Sequence, residues 1–388
     1  MYSLGVISIK WGKEAKSGAE RAITSLVELL DSSFQVTVYC GQNLEGPSQY
    51  VSSEGCLIKI KTFRMSDENS FSSGEPHRVL RKALNYATLS VKEEEVFFRN
   101  LHFSQELLDC IRKEAGNLDA IIVTPYLSGT GIFASIELGS KVVMIPCFHR
   151  EHFANFKLVN LAFQRIRGVL CYSHPERQAL LERHPHLKTA VTGVPIYFAQ
   201  NPQNHVGNEN KTTDTSYLLY LGRKEPAKGL LELVDFVRAY NEGFGATLKL
   251  VVAGPGKIPL VDPRAIPWLE DIESPDEDRK NELIKNALVL VQPSKNESFS
   301  LVIMEAWINR VPVMVNRFCD VTTHFVKESQ GGFAVKNFTE FCEAISLLER
   351  SPSLRERLGE RGHDYVIKNF SPEHVKKQLL ESLQYYLG

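Results

Sequence analysis

The feature that most constrains the fold is a repeated alternation of short apolar runs with helix-like segments. In the first half the runs are rich in Val, Ile and Leu and lie at residues 4–9, 35–40, 57–61, 119–123, 141–146, 168–172 and 189–193. Near-continuous hydrophobic strands of this kind are typical of a parallel sheet that is buried on both faces. Helical patterns lie between them at 19–31, 105–115 and 175–184. The first half is therefore predicted to be a doubly wound α/β domain made of βαβ units.

The alternation stops at a polar segment in the middle of the chain and then restarts. Residues 199–216 are rich in Asn, Thr and Gly and nearly empty of large apolar side chains, which is typical of a linker. Strand-like runs then follow at 217–221, 247–253, 288–292 and 312–315, with helical patterns at 229–240, 276–287 and 300–309. Because 388 residues exceed what one hydrophobic core usually fills, we expect a Rossmann-like domain at 1–198, a linker at 199–216 and a second Rossmann-like domain at 217–369.

Composition excludes several classes of protein. The net charge of −1 argues against a nucleic-acid partner. The seven cysteines are scattered, without metal-ligand spacing, and we interpret them as buried thiols in a reducing cytoplasm. The N-terminus lacks the pattern of a signal peptide, and no apolar run approaches the roughly 20 residues needed to cross a bilayer. Membrane contact is expected to be peripheral at most.

A basic and partly aromatic segment in the first half has two interpretations. Residues 78–103 combine Arg78, Arg81 and Lys82 with Phe97 and Phe98. Such a helix could contact anionic lipid or an acceptor. A helix with one solvated face and one core face explains the same residues and is the interpretation we favour.

Two cations follow the first strand of the second half. Gly222 ends that strand, and Arg223 and Lys228 lie in the turn before the next helix. Ligands of open α/β sheets bind at the carboxyl ends of the strands, where both cations would meet a diphosphate. Two solvated surface cations remain the alternative.

Two glutamates bracket the start of a later helix. Glu297 precedes this helix and Glu305 lies about a turn and a half inside it. Between them, the backbone N–H groups of Ser300, Leu301 and Val302 would form a positive site suited to phosphate. A serine cap with incidental acidic neighbours is the alternative interpretation.

Two weaker candidates lie in the first half. Gly18 stands between the first strand and the first helix, where glycine allows close approach of the backbone to an anion. An ordinary capped loop explains it equally well. His149 follows a later strand, again at the carboxyl edge, and could donate to a carbohydrate hydroxyl. A surface or packing histidine is the alternative.

With those residues in view, the second half resembles family 4 of the glycosyltransferases, which are retaining enzymes of the GT-B fold with two Rossmann-like domains facing a cleft. The stretches that carry the resemblance are YLGRKEPAKGL, LVVAGPG, LVLVQPSKNESFSLVIMEAW with VPVMV following, and GGFAV. In the first half the resemblance rests on residues 18–20 and on His149. One departure is that the family's usual E-G-F-G reads E-S-F-S here, where we expect Ser300 still to cap the helix.

The resemblance implies a role for each matching residue. Arg223 and Lys228 look like the ligands of the diphosphate, and Glu305 looks like the carboxylate that binds the ribose hydroxyls. Glu297 matches the acid that contacts sugar hydroxyls near the anomeric carbon, and His149 is similar to an active-site histidine near the donor sugar. We expect Glu297, His149, Arg223 and Lys228 to be catalytic. The other nucleotide-sugar-binding positions expected are Gly18, Gly222, Gly254, Ser298, Phe299, Ser300, Leu301, Val302 and Glu305.

The resemblance also implies the activity. A hexose would be moved from a nucleotide sugar to a glycan or lipid-linked acceptor in surface polysaccharide biosynthesis, in the cytoplasm or at the cytoplasmic membrane face. UDP-glucose is the first choice of donor, with UDP-N-acetylglucosamine and GDP-mannose as alternatives. No metal or other cofactor is expected, because the acids of Asp276–Asp278 are explained as the first turn of a helix capped by Ser274. The segment 370–388 would be a helix that crosses back onto the first domain.

Two other functions use related folds. A dinucleotide-dependent oxidoreductase should show the motif G-x-G-x-x-G after a strand. No such motif follows the first strand, and the segment at Gly254 lacks the third glycine, so this function is poorly supported. A GT-B protein that binds nucleotide sugar without transferring it, such as an epimerase or a sensor, stays open because fold alone does not decide between them.

Overall fold

The chain forms two compact units. The computed structural model describes residues 1–12, 18–43, 46–197, 217–259 and 262–388, without the side chain at 68. The first unit comprises Met1–Pro195 together with Pro372–Gly388, and the second comprises Ile196–Ser371. The predicted linker at 199–216 lies outside the described residues.

The first unit is built on an eight-stranded sheet. Its strands are β1 Tyr2–Trp11, β2 Phe34–Asn43, β3 Gln49–Val51, β4 Leu57–Thr62, β5 Ala120–Val123, β6 Val142–Met144, β7 Gly168–Cys171 and β8 Thr189–Val191. They lie in the order β3-β4-β2-β1-β5-β6-β7-β8, and neighbouring strands are parallel except β3 and β4. β5, β6 and β7 are buried along their whole length, as the continuous apolar runs predicted.

Helices cover this sheet. They are α1 Gly18–Val27, α2 Gly74–Leu84, α3 Val91–Asn100, α4 Gln105–Glu114, α5 Gly129–Glu137, α6 Lys157–Arg165 and α7 His174–Arg183. The basic segment 78–103 is therefore divided between two helices. The rings of Phe97 and Phe98 are buried in the core and pack on each other with centroids 5.3 Å apart. The favoured interpretation of this segment is confirmed for its aromatic side chains, which face the protein interior.

The second unit contains a six-stranded parallel sheet. Its strands are β9 Tyr217–Leu221, β10 Lys249–Ala253, β11 Leu269–Ile272, β12 Val289–Gln292, β13 Val313–Asn316 and β14 Gly332–Val335, in the order β11-β10-β9-β12-β13-β14. Its helices are α8 Leu230–Phe244, α9 Glu277–Lys285, α10 Leu301–Ile308, α11 Asp320–Ser329, α12 Phe338–Arg350 and α13 Pro352–Phe370. The strand order reverses between β9 and β12, so the loops after these two strands lie at a topological switch point.

The last helix, α14 Pro372–Leu387, packs on the first unit although it follows the second in the chain. Tyr386 donates its hydroxyl to the Val169 carbonyl at 2.7 Å, and Arg167 donates to the Tyr386 carbonyl at 3.1 Å. Lys376 forms an ion pair of 2.5 Å with Glu54. These contacts attach the C-terminus to the strands β7 and β8 and to the loop before β4.

All seven cysteines are free thiols. Cys40, Cys56, Cys171 and Cys319 are buried as expected, and burial raises the pKa of the Cys40 thiol to about 12. The expectation of burial is wrong for the other three, Cys110, Cys147 and Cys342, which are only partly buried.

Candidate functional site

Two glycine turns form the floor of the site in the second unit. Gly222 follows β9 with φ +148° and Gly254 follows β10 with φ +138°, conformations that favour glycine. A Cβ at Gly254 would lie 2.1 Å from the Gly222 carbonyl oxygen, so the two turns touch backbone to backbone. Tyr220 donates its hydroxyl to the Arg223 carbonyl at 2.6 Å. The loop that carries the predicted cations therefore has a defined backbone.

Lys228 is one of the two cations predicted to bind a diphosphate, and Glu297 is one of the two glutamates around the start of the later helix. The two side chains are in direct contact. The Lys228 ammonium lies 2.8 Å from Glu297 Oε1, and the two side chains are 23% and 12% exposed. Gly229 next to Lys228 has φ +74°, and a Cβ there would lie 2.6 Å from the Pro293 carbonyl. The loops after β9 and β12 thus meet at the switch point and place a cation and an acid together.

Arg223 is placed differently. Its guanidinium forms an ion pair of 2.9 Å with Glu225, and both side chains are about half exposed. A pair between solvated groups stabilises a protein by about 1 kcal/mol or less. A bound anion could therefore displace Glu225 from Arg223 with little loss.

Lys224, beside Arg223, was missed in the sequence. Its side chain is fully buried, its ammonium lies 2.5 Å from Asp271 of β11, and it also donates to the Ile272 carbonyl at 3.3 Å. A buried ammonium requires a partner of opposite charge. Lys224 thus anchors the cation loop to the edge strand of the sheet.

Glu305 makes a contact that the sequence did not suggest. One of its carboxylate oxygens lies 3.0 Å from the Lys280 ammonium, which also pairs with Glu277 at 2.7 Å. Lys280 lies on α9, which packs on α10, and both side chains of the Lys280–Glu305 pair are largely buried.

The expected cap of α9 is wrong in one detail, because Asp276 rather than Ser274 accepts from the backbone N–H of Arg279, at 2.8 Å.

The start of α10 differs from the expectation. The helix begins at Leu301, and within the described residues the Ser300 side chain makes no capping bond to it, so that expectation is wrong. Instead Ser300 has φ +81°, and its hydroxyl accepts from the Gln292 amide at 3.3 Å. The first backbone N–H groups of α10, at Leu301 and Val302, have no acceptor within the helix, so this end of α10 favours an anion.

The residues of the E-S-F-S segment do not all face a ligand site. Phe299 is buried, and its ring packs on Phe325 and Phe370 with centroids 5.4 and 5.0 Å away. Its side chain therefore belongs to the core, and only its backbone could contact a ligand. Ser298 precedes it in the same loop, two residues before Ser300.

The predicted residues of the first unit lie at its own sheet edge. Gly18 is the first residue of α1, and the preceding residues 13–17 lie outside the described part of the chain. His149 lies in the loop after β6, with Nδ1 3.5 Å from Glu151 Oε1. The same carboxylate oxygen accepts from the Tyr126 hydroxyl at 2.6 Å. Glu151, held by the Tyr126 hydroxyl, thus lies at the Nδ1 edge of the imidazole.

Potential metal ligands come together on α13. Ligand atoms of Glu360, His363 and Asp364 lie within 4.8 Å of one another, and Glu360 also pairs with Arg310 at 2.8 Å. The two acids are exposed, and exposed acidic groups of this kind are common without an ion. We assign no metal to this group or to Asp276–Asp278.

Comparison with solved structures defines the fold class. Sucrose-phosphate synthase from Thermosynechococcus elongatus matches with a TM-score of 0.70 over 99% of both chains at 15% identity. Anabaena HepE in complex with UDP and glucose matches with a TM-score of 0.67 over 98% of this chain and 99% of its own at 13% identity. An E. coli trehalose-6-phosphate structure bound with UDP-2-fluoro glucose matches with a TM-score of 0.69, over 98% and 99% at 13% identity. The chain has the GT-B fold, and the predicted fold class is confirmed.

Comparison with sequences gives matches to parts of the chain. The family model described as Glycosyl transferases group 1 matches residues 203–365. The lipopolysaccharide core biosynthesis glycosyltransferase LpsE of Rhizobium meliloti is 32% identical over 97 residues, which is 24% of this chain and 28% of that protein. The chain thus matches just over a quarter of the length of this relative. The family model and this relative are both described as glycosyltransferases. No helix among the described residues is long and apolar enough to cross a membrane.

Proposed function

We propose that this protein is a retaining glycosyltransferase that moves a hexose from a nucleotide sugar to a glycan or lipid-linked acceptor. UDP-glucose is the proposed donor, and no metal is proposed to take part. The proposed location is the cytoplasm or the cytoplasmic face of a membrane, and the proposed role is in surface polysaccharide biosynthesis.

The observation that carries this proposal is the contact of Lys228 with Glu297 beside the start of α10. Breaking the bond between a sugar and a diphosphate leaves negative charge on the diphosphate. Lys228 and the first N–H groups of α10 are donors for that charge. Glu297, 2.8 Å from the same ammonium, is an acceptor for hydroxyls of the sugar next to it. One site thus offers donors to the leaving group and an acceptor to the transferred group.

The donor and acceptor are proposed from the relatives. HepE was solved with UDP and glucose, and the E. coli trehalose-6-phosphate structure with UDP-2-fluoro glucose. LpsE is described as acting in lipopolysaccharide core biosynthesis, which supports a growing glycan or a lipid-linked sugar as acceptor. Arg223 is proposed to bind the diphosphate, and Glu305 with Lys280 to hold the ribose.

The proposal is tested by following UDP-glucose labelled with ¹³C at the anomeric carbon. The purified protein is incubated with this donor and a panel of oligosaccharide and lipid-linked acceptors. The expected result is release of UDP together with a new glycosidic bond whose NMR coupling retains the α configuration. Binding of UDP-glucose without a new bond to any acceptor would favour a non-transferring binding protein. Transfer from GDP-mannose alone would contradict the donor, and a β-linked product would contradict retention.

A further inference from the structure

A buried carboxylate joins two strand ends below the loop that carries His149. Glu176 is the third residue of α7 and is only 1% exposed. One of its oxygens accepts from the backbone N–H of Phe148 at 2.6 Å, and the other accepts from the backbone N–H of Tyr172 at 2.6 Å. Phe148 directly precedes His149, and Tyr172 directly follows β7. One side chain therefore fixes the backbone of two adjacent loops at the carboxyl edge of the sheet.

The loop that Glu176 holds is strained at the neighbouring residue. Cys147 has φ +52°, a left-handed conformation that costs about 1–2 kcal/mol for a residue with a Cβ. Such a conformation persists only where the surroundings enforce it. The Phe148 ring is buried and its N–H is bonded to Glu176, so the residue that follows Cys147 is held on both its side chain and its backbone.

The surroundings of Glu176 disfavour its charged form. Burial raises the pKa of Glu176 to about 7, although the backbone N–H groups of Phe148, Tyr172 and Ser173 and the nearby His149 favour its charged form. Its charge raises the pKa values of Cys171 and Tyr172, and neither of these neighbours is a cation. Ionising a carboxyl group in this environment is unfavourable. An ionisable group kept in such a place beside a site residue is typical of a functional arrangement.

We propose that Glu176 is a positioning residue for His149, because its two bonds to backbone N–H groups set the course of the loop that carries the imidazole. The kinetic part of this inference rests on the proposed function. Glu176 does not contact a substrate in this account. It acts through the backbone between Cys147 and His149.

The test compares Glu176→Gln with His149→Ala and with the double variant. Glutamine keeps the size of the side chain but offers one oxygen and one NH₂ group, so one of the two N–H groups loses its acceptor and meets a donor. We expect kcat to fall about tenfold or more while KM for the donor changes by less than about twofold, because the proposed diphosphate ligands belong to the second unit. The double variant should be no slower than His149→Ala, since both changes remove the same contribution.

Glu94 provides a matched control. It is also buried and also accepts from two backbone N–H groups, those of Lys157 at 2.9 Å and Leu158 at 2.8 Å, but it caps α6. Glu94→Gln should lower Tm about as much as Glu176→Gln and leave kcat within about twofold of the wild type. Equal losses of kcat in the two variants, or additive losses in the double variant, would overturn the positioning role.

A readout independent of activity separates this inference from the proposed function. The chain has 11 histidines, and ¹³C-histidine NMR with a His149→Gln variant assigns the His149 signal. Glu176→Gln should shift or broaden that signal, and Glu94→Gln should leave it in place. An unmoved His149 signal in Glu176→Gln overturns the positioning role. A wild-type protein that transfers no sugar, with the His149 signal still displaced in Glu176→Gln, contradicts the proposed function and supports the positioning role.

Discussion

The carboxyl edges of the two sheets carry different chemistry on similar scaffolds. In the second unit the edge presents paired charges, Lys228 with Glu297 and Arg223 with Glu225, above glycine turns that touch each other. In the first unit the edge presents His149 with Glu151, and its acid Glu176 is buried beneath the loop. Both sheets are mostly parallel and carry helices between their strands. The loops rather than the sheets therefore determine which edge suits an anion.

The largest expected effect is on the charged edge of the second unit. Lys228→Ala should lower kcat by about two to three powers of ten, because this ammonium is proposed to meet the charge that grows on the leaving diphosphate. The measurement is steady-state kinetics with UDP-glucose. Lys295→Ala is the control, since Lys295 lies in the Glu297 loop but pairs at 3.6 Å with Glu232 on the surface. Equal losses in the two variants would show that loss of any lysine from this edge lowers kcat, and would contradict a specific role of the Lys228 contact.

Substitutions of the two glutamates at the same edge should change different kinetic parameters. Glu297→Gln should depress kcat by on the order of a hundredfold, because a misplaced sugar loses its alignment for reaction. Glu305→Gln should raise KM for the donor about tenfold with kcat nearly kept, because the ribose does not change during the reaction. Glu277→Gln tests whether loss of a Lys280 partner alone produces that effect. Near-native kcat in Glu297→Gln with collapsed donor affinity would reverse the assignments.

A smaller effect is expected at strained residues of the two edges, among them Ser300 at +81° and Cys147 at +52°. Ser300→Gly should stabilise the protein by about 1 kcal/mol, because glycine adopts this conformation without the penalty of a Cβ. The measurement is the change in Tm. Ser298→Gly is the control, since Ser298 does not have a positive φ. A gain at Ser298 equal to that at Ser300 would contradict the strain.

Removal of divalent metal should have no effect on turnover. Lys228 and the start of α10 are proposed to serve the diphosphate without an ion. Activity is measured with and without EDTA. Complete loss with EDTA, restored by manganese or magnesium, would contradict this expectation and direct attention to Asp276–Asp278 or to Glu360, His363 and Asp364.

The sequence predicted the buried strands better than the elements around them. Continuous apolar runs identify β5 and β12 because strands buried on both faces have few polar positions. β11 was missed because Leu269–Ile272 places two acids in an edge strand. α5 was missed because it begins at Gly129, which indicates a turn. A Cβ there would lie 1.8 Å from the Phe98 carbonyl, so this glycine serves close packing of α5 against α3.

Contacts between site residues could be predicted where the residues share a sheet edge, but not where the contact depends on the packing of two helices. Lys228 and Glu297 follow neighbouring strands, β9 and β12, so their proximity follows from topology. Lys280 contacts Glu305 only because α9 packs on α10, which no local pattern specifies. Glu176 lies in the helix predicted at 175–184, but no pattern indicated its role, since the backbone N–H groups that it accepts from have no signature in the sequence.

The most direct test is the affinity of the protein for UDP, measured by isothermal titration calorimetry in one variant of each sheet edge. The charged edge of the second unit is proposed to bind the diphosphate, and loss of a charge-assisted hydrogen bond weakens binding by about 1.5–3 kcal/mol, or roughly 10- to 150-fold. Lys228→Ala should therefore raise Kd at least about tenfold, while His149→Ala should leave it within about twofold. Unchanged affinity in Lys228→Ala, or an equal loss in His149→Ala, would contradict the assignment of the donor diphosphate to the second unit.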